Sequence, residues 1–347
     1  MLSNFPQCLK KKKLSLYIVY TILSVGYPVW GGEPIEIVPG GCLRFTPGKA
    51  KICRDVPFES LGILEQLAIA LNEKGYDLFL LDPGKGVVKE GAKRTVFFNS
   101  LDEGAFVYRT KLNKEQCLLT VWEPPSVDET LHNPFFRSLF KKVVTWESNK
   151  RGKAGYVHFT HPVLKPMQKD LPSFKERALC AFMFANKSSS YKGELYSERM
   201  RAARFFDTKG ESFGMYGRGW DGMGFARYLG AVDDKVKTLS NYRFSICYEN
   251  TGDVPGYITE KLFDSFAAGC VPIYLGAPDV ADYVPKECFI DKRDFATYDE
   301  LYTFLEGMSE TRYMEYVAAM KRFLESEAGT LFGMRRSVEA LAEAIIE

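Results

Sequence analysis

The chain has 347 residues, of which 46% are hydrophobic and 26% charged, and its formal net charge is +2. This length is enough for two domains of ordinary size, and the composition is that of a soluble globular protein. The near-neutral charge argues against a nucleic-acid partner. The eight cysteines include no C-x-x-C pair, which argues against a zinc site or a thioredoxin-like motif.

The first 32 residues are predicted to be a targeting segment outside the fold. A basic cluster from Lys10 to Lys13 precedes an uncharged, mostly apolar stretch from Leu14 to Val25. That stretch has the length of a signal-peptide core and is short for a membrane span. Two alternatives stay open, a cleaved signal peptide and a short uncleaved anchor with the lysines on the cytoplasmic side. Either one predicts export or membrane association, with the side of the membrane left open.

Residues 33–165 are predicted to form a first Rossmann-like domain. A helix is expected over 61–72, because its apolar residues recur on one face. Short apolar strands are expected at 35–38, 76–81, 95–98, 117–121 and 142–146. This alternation indicates a parallel sheet with helices on its faces.

Residues 172–347 are predicted to form a second Rossmann-like domain after a linker near 150–172. The expected order is a strand over 177–184, a helix over 197–206, strands over 213–216 and 243–248, a helix from Thr259 to Ala268 and a strand over 271–275. The last segment, 298–347, is helix-rich and is expected to pack back across the domains. Ligands of open α/β sheets bind at the carboxyl ends of the strands, so the loops that follow these strands are the candidate site.

The start of the helix at Thr259 carries a charge pattern typical of an anion site. Glu260 in the first turn suits the positive end of the helix dipole, whereas Lys261 is disfavoured there. The lysine becomes reasonable when an anion lies above it, and free N–H groups with a lysine and a carboxylate suit a phosphate that carries a sugar. The alternative is a solvent-facing lysine on an ordinary surface helix.

The same stretch resembles the donor-binding motif of the α1,3/4-fucosyltransferases, glycosyltransferase family 10. The resemblance runs through Glu249-Asn250, Tyr257-Ile-Thr-Glu260-Lys261 and Ala268-Gly-Cys-Val-Pro-Ile-Tyr-Leu-Gly276. It implies a GT-B fold, in which two Rossmann-like domains face each other across a cleft, and inverting transfer from GDP-L-fucose. It also implies that Asn250 and Tyr257 line the nucleoside and fucose pocket. Glu260 would accept hydrogen bonds from sugar or ribose hydroxyls, and Lys261 would hold the diphosphate.

A second stretch, from Ala185 to Arg199, resembles another conserved block of that family. In that block an arginine at a helix start holds the diphosphate of the donor, and Arg199 is the best match. Arginine can engage two phosphate oxygens at once, with more geometric control than lysine. Arg204 on the same helix could be a plain surface charge.

Glu123 is the predicted catalytic base. The strand over 117–121 delivers it at its carboxyl end, and Pro124-Pro125 ends the strand abruptly. Inverting glycosyl transfer needs a base that takes the proton of the acceptor hydroxyl as its oxygen attacks. The family carries a base glutamate at the corresponding strand end, and Trp122 beside it would form an apolar wall or sugar platform. The alternative is a solvent-exposed loop glutamate.

Other patterns argue against other enzyme classes. Gly217 to Gly222 satisfies G-x-G-x-x-G, but no clean helix follows and no acidic residue lies at the spacing of a dinucleotide site, so it is interpreted as a turn. A similar Tyr-Gly-x-Gly-Trp occurs in bacterial members of the fucosyltransferase family. The sequence has no D-x-D, and His158 and His161 lack a third partner and are interpreted as part of a polar loop. No metal and no cofactor are therefore expected.

The acceptor is the least defined part of the prediction, because the resemblance is weak before residue 117. The family default is a glycan acceptor, with transfer to O3 of N-acetylglucosamine. Two alternatives remain, a different GDP-sugar donor and a non-catalytic carbohydrate-binding protein of the same fold. The predicted partners are GDP-L-fucose, a glycan, and a membrane through the N-terminal segment.

Overall fold

The computed structural model of the chain describes residues 33–39, 48–49, 62–80, 91–99 and 103–347. The predicted targeting segment, residues 1–32, lies outside these ranges. Among the helices described, none combines the length and the apolar character needed to span a bilayer.

The first half of the chain forms a seven-stranded sheet. Its strands are β1 (Glu33–Pro39), β2 (Gly48–Lys49), β3 (Tyr76–Leu80), β4 (Arg94–Phe98), β5 (Cys117–Val121), β6 (Lys142–Thr145) and β7 (Tyr156–His158). Their order is β2-β3-β1-β4-β5-β6-β7, and every pair is parallel except β2 with β3. The helices of this half are α1 (Ile63–Glu73), α2 (Glu103–Lys111) and α3 (Pro134–Arg137).

The second half forms a parallel sheet of five strands. These are β8 (Ala178–Met183), β9 (Phe213–Tyr216), β10 (Tyr242–Tyr248), β11 (Val271–Leu275) and β12 (Ile290–Asp291), in the order β12-β11-β10-β8-β9. The helices are α4 (Tyr196–Asp207), α5 (Lys235–Leu239), α6 (Glu260–Ala267), α7 (Tyr298–Glu306), α8 (Glu310–Leu324), α9 (Glu327–Thr330) and α10 (Met334–Ile346). The strand order reverses between β8 and β10, which is where ligands bind in sheets of this kind.

Two parallel sheets with helices confirm the predicted α/β class. The central strands read as continuous apolar runs because helices cover both faces of the sheet, as β10 illustrates with six of its seven residues buried. Three strands were missed: β2, β7 and β12. Of these, β7 lies in the stretch that was predicted to be a linker, and it pairs in parallel with β6.

The last helix, α10, packs against the first half. Val338, Leu341 and Ile345 of α10 belong to the same buried cluster as Ile35 of β1 and Leu67 of α1. The predicted limits of the domains stay a prediction, but the hydrophobic core of the first half includes residues from the end of the chain.

Candidate functional site

A cavity of about 540 Å³ lies between the carboxyl ends of strands from both sheets. It brings together all six predicted site residues: Glu123, Arg199, Asn250, Tyr257, Glu260 and Lys261. Glu123 comes from the loop after β5 of the first sheet, whereas the others come from the loops and helices that follow β8 and β10 of the second.

Glu123 is held at the cavity by its backbone. Its N–H and that of Trp122 both donate to Asn99 Oδ1 at 3.1 Å, and its carbonyl oxygen lies 2.9 Å from His132 Nε2. Asn99 has a φ of 67°, a left-handed conformation that asparagine tolerates better than most residues. Trp122 lines the cavity beside it and stacks on Phe98, with ring centroids 5.1 Å apart. The strand end is therefore fixed from both sides.

A buried ionic cluster supports this loop from beneath. The carboxylate of Glu147 lies 2.6 Å from Arg137 Nη2 and 3.7 Å from His132 Nδ1, and it accepts a hydrogen bond from Thr145 Oγ1. Burial alone would raise the pKa of Glu147, but its contacts with His132 and Arg137 outweigh burial and lower the pKa to about 2. Because His132 also contacts the carbonyl of Glu123, this cluster ties the candidate base to the core of the first half.

Arg199, on α4, is buried where β8 and β10 lie side by side. Its Nε and Nη2 donate to the carbonyl oxygen of Tyr248 at 3.2 and 2.7 Å, and Nη2 also donates to Asn250 Oδ1 at 2.9 Å. The guanidinium lies 4.2 Å from the ring centroid of Phe184. Burial lowers its pKa from the usual value, although arginine stays protonated in proteins. The side chain is thus oriented before any ligand arrives.

The carboxylate of Glu249 organises the start of α6. It is fully buried and accepts hydrogen bonds from Thr259 N at 2.8 Å, Thr259 Oγ1 at 2.7 Å and Lys261 Nζ at 3.0 Å. Thr259 occupies the N-cap position, but its hydroxyl donates to Glu249 and makes no capping hydrogen bond to the helix. In the sequence, Glu249 was interpreted only as part of the donor-binding motif. Its role as the partner of Lys261 was predictable, because a lysine at a helix start needs a negative charge nearby.

Lys261 and Glu260 carry opposite charges at the cavity wall. Burial alone would lower the pKa of Lys261, but the carboxylates of Glu249 and Glu260 more than offset it, so the pKa is raised. Burial acts to raise the pKa of Glu260, and the nearby Lys261 and Lys235 together with its own helical N–H lower it to about 2. Both side chains are therefore ionised at neutral pH.

Three further cations lie at the exposed rim of the cavity. They are Lys187 after β8, Arg218 after β9 and Lys235 at the start of α5. Their side chains make no hydrogen bond or ion pair with the residues that the structure describes. None of the three was predicted to be a site residue, although Lys187 lies in the Ala185–Arg199 stretch and Arg218 in the Gly217–Gly222 turn.

Asn250 and Tyr257 form the floor between the two halves. Asn250 Nδ2 donates to Tyr257 Oη at 3.2 Å, and the Tyr257 ring packs on Trp146 with centroids 4.7 Å apart. His161, which was predicted to lie in a polar loop, is buried here, and its Nε2 lies 3.1 Å from the carbonyl oxygen of Trp122. Burial lowers the pKa of His161 to about 4, so the ring is neutral at pH 7.

Within the described part of the chain, no group of three or more His, Cys, Asp or Glu side chains is arranged as metal ligands. Metal-independent chemistry stays a prediction.

Residues 174–330 match the sequence model of glycosyltransferase family 10 (fucosyltransferase), C-terminal part. Residues 174–330 are a glycosyltransferase family 10 region. The family 10 region contains Arg199, Asn250, Tyr257, Glu260 and Lys261, whereas Glu123 lies outside it.

Curated relatives of the chain include fucosyltransferases. The alpha-(1,3)-fucosyltransferase FucT of Helicobacter pylori is 41% identical over 76 residues, which are 22% of this chain and 16% of that protein. Human alpha-(1,3)-fucosyltransferase 7 is 40% identical over 86 residues, 24% of this chain and 25% of that protein. Mouse 4-galactosyl-N-acetylglucosaminide 3-alpha-L-fucosyltransferase 9 is 26% identical over 223 residues, 60% of this chain and 57% of that protein. The chain thus spans less than two thirds of the length of each.

Solved structures share the whole fold. An alpha1,3-fucosyltransferase with GDP superposes with a TM-score of 0.50 at 15% identity, covering 90% of this chain and 96% of that one. A second alpha1,3-fucosyltransferase structure gives 0.52 at 16% identity and 93% coverage of both chains. T4 phage BGT in complex with UDP and Mn2+ gives 0.50 at 11% identity, covering 90% of this chain and 99% of that one. At these identities the likeness concerns the fold alone, and it confirms that the family 10 region is part of a GT-B fold.

Proposed function

We propose that this chain is an inverting fucosyltransferase that moves L-fucose from GDP-L-fucose to a glycan hydroxyl, with O3 of N-acetylglucosamine as the expected position. One observation carries the proposal. A single cavity holds a carboxylate from one sheet, Glu123, together with an arginine and a lysine from the other, Arg199 and Lys261. A base on one side and cations on the other are what displacement of a diphosphate by a hydroxyl requires.

In this proposal Glu123 takes the proton of the acceptor hydroxyl. The hydroxyl oxygen attacks the anomeric carbon of fucose, the bond from that carbon to the diphosphate oxygen breaks, and GDP leaves with the electron pair. Attack from the face opposite GDP turns the β-linked donor into an α-linked product. Asn99 and His132, which hold the backbone of Glu123, keep the base aimed at the cavity.

The charge that develops on GDP is stabilised by cations of the second half. Arg199 already binds Tyr248 and Asn250, and Lys261 is balanced by Glu249, so both are oriented in advance rather than free to swing. Lys187, Arg218 and Lys235 add positive charge at the rim. Such a set suits a diphosphate without a divalent ion, which supports the expectation of no metal.

Glu260 is proposed to accept hydrogen bonds from hydroxyls of the sugar or ribose. Its depressed pKa keeps it ionised, and an ionised carboxylate only accepts hydrogen bonds. Asn250 and Tyr257 line the same part of the cavity and are proposed to contact the fucose and the nucleoside.

The test is GDP release from GDP-L-fucose with N-acetyllactosamine as acceptor, in EDTA, with GDP-mannose in parallel. Glu123→Gln is compared with Glu129→Gln, a matched control because Glu129 is exposed on the same loop. We expect kcat to fall about 100- to 10,000-fold in the first variant and to stay unchanged in the second.

Three other results are informative. Acceptor-dependent release in wild type with full turnover in Glu123→Gln contradicts the base assignment. Saturable GDP-fucose binding without release favours the non-catalytic carbohydrate-binding alternative or another acceptor. If GDP is released only from GDP-mannose, the donor sugar is mannose and not fucose.

Residues 1–32 are proposed to export or anchor the protein. Fractionation of cells that express the full chain and a chain starting at residue 33 tests this, because only the first should be found with membranes or outside the cytoplasm. The mass of the mature chain then separates a cleaved signal peptide from an anchor.

A further inference from the structure

Three chain segments meet behind the cavity, where the two halves touch. Asp279, which follows β11, accepts a hydrogen bond from Ser148 Oγ at 2.5 Å and another from Gly256 N at 2.7 Å. Ser148 N also donates to the carbonyl oxygen of Pro255 at 3.3 Å. Ser148 belongs to the first half, whereas the other residues belong to the second. We call Ser148, Pro255, Gly256 and Asp279 the clasp.

The contact is too close for any residue other than glycine at position 256. Gly256 has a φ of 86°, and a Cβ there would lie 2.3 Å from the carbonyl oxygen of Trp146 and 2.9 Å from Ser148 N. The neighbouring Val254 and Tyr257 are buried in the cluster that contains Trp146 and Phe159 of the first half. The loop between β10 and α6 is therefore part of the core of the opposite half.

The clasp adjoins both sides of the candidate site. On one side, Trp146 lies two residues before Ser148, and its Nε1 donates to the carbonyl oxygen of Trp122 at 3.1 Å, next to Glu123. On the other side, Tyr257 follows Gly256 directly and its hydroxyl binds Asn250. A shift at the clasp therefore changes the separation between the base and the donor pocket.

We propose that Asp279 is a positioning residue that sets the distance between Glu123 and the donor bound to the second half. The role as a positioning residue rests on the proposed function, whereas the clasp itself does not. Each carboxylate oxygen accepts one donor, Oδ2 from the first half and Oδ1 from the donor-motif loop. The Asp279 side chain thus holds Ser148 of the first half and Gly256 of the second half together.

A second contact keeps the halves together when Asp279 is changed. Tyr283, four residues later, stacks on His158 with centroids 6.5 Å apart, and Arg151 Nη2 lies 3.3 Å from its hydroxyl. Loss of the clasp should therefore loosen the spacing of the site without separating the halves.

The experiment compares Asp279→Ala and Asp279→Asn with Asp282→Ala. Asp282 is exposed in the same turn and its side chain makes no contact with Ser148 or Gly256, so it is the matched control. The measurements are kcat for fucose transfer, the Kd of GDP, the melting temperature, and hydrogen exchange of the peptide that contains Gly256.

We expect Asp279→Ala to speed exchange at Gly256 and to lower kcat about 10- to 100-fold, with the Kd of GDP within twofold of wild type. Asp279→Asn should recover most of kcat, because its amide oxygen accepts from one donor and its NH₂ donates to the Ser148 hydroxyl. Asp282→Ala should match wild type in every measurement.

Two results overturn the proposal. One is unchanged exchange and unchanged kcat in Asp279→Ala. The other is a parallel fall of kcat, GDP affinity and melting temperature in both Asp279 variants, which marks a merely structural residue. If wild type itself transfers no fucose, the proposed function fails and so does the positioning role. Hydrogen exchange of the peptide that contains Gly256 then still shows whether Asp279 holds the loop between β10 and α6.

Discussion

The ammonium group of Lys261 lies 3.0 Å from the carboxylate of Glu249, which has no exposed surface. Lys261 therefore already forms an ion pair within the protein. It compensates a buried negative charge that also binds Thr259 at the first turn of α6. Lys261 therefore stabilises the fold and also lines the candidate donor site.

Replacing Lys261 by alanine should destabilise the protein. The change leaves the carboxylate of Glu249 buried without its cation, which costs about 3–5 kcal/mol. Urea denaturation measures this directly. Arg312→Ala, which breaks an exposed pair with Glu315, should cost less than about 1 kcal/mol. Equal denaturation midpoints for wild type and Lys261→Ala would show that the pair does not hold the fold.

Arg199→Lys should weaken GDP binding although the charge is kept. A lysine cannot bind Tyr248 O and Asn250 Oδ1 and stack on Phe184 in the same way, so the pre-set orientation is lost. We expect the Kd of GDP, measured by calorimetry, to rise about 10- to 100-fold. Arg201→Lys on the same helix is the control, because Arg201 is exposed, pairs with Glu198 and does not line the cavity. A Kd within twofold of wild type would remove Arg199 from the donor site.

The rim cations should act through long-range charge. Alanine at Lys187, Arg218 or Lys235 should each raise the Kd of GDP by up to about fivefold, since exposed charges contribute at most about 1 kcal/mol. The effect should shrink at high salt because exposed charges are screened. Lys237→Ala on α5 is the control, since Lys237 is exposed and does not line the cavity. An equal loss of GDP affinity at low and at high salt would indicate that the substitution disturbs the structure and does not act through charge.

Glu147 should make the protein sensitive to acid. Its pKa is about 2 in the folded state, below the ordinary value of 4.5, so ionised Glu147 stabilises the fold above pH 4.5. That contribution, about 3 kcal/mol, is lost as the pH falls from 4.5 towards 2. Glu147→Gln should be less stable than wild type at pH 7, and the difference in unfolding free energy should narrow across that window. Glu339→Gln, exposed on α10, should follow wild type at every pH, and a constant gap for Glu147→Gln would contradict the assignment.

The sequence predicted the strand ends well because apolar runs stop at polar loops, and the carboxyl ends of parallel strands share one edge. That is why Arg199 and Lys261, distant in sequence, lie at one edge of the second sheet. Glu123 follows a strand of the first sheet and reaches the same cavity because that cavity lies between the strand ends of both sheets. Long-range partners were not predictable in this way. Nothing local to Glu147 indicates Arg137, and nothing local to Asp279 indicates Ser148. His161 was interpreted as part of a polar loop because the sequence offers no third partner for a metal site, and only the tertiary fold buries it.

The return of α10 to the first sheet makes the second half an insertion within the first. Leu341 and Ile345 complete a core that begins at Ile35, so that core can close only after Ile345 has left the ribosome. During synthesis the second half, whose own cluster ends at Phe332, is the part able to fold first. A chain shortened before Met334 should accordingly keep a foldable second half while leaving the first half open.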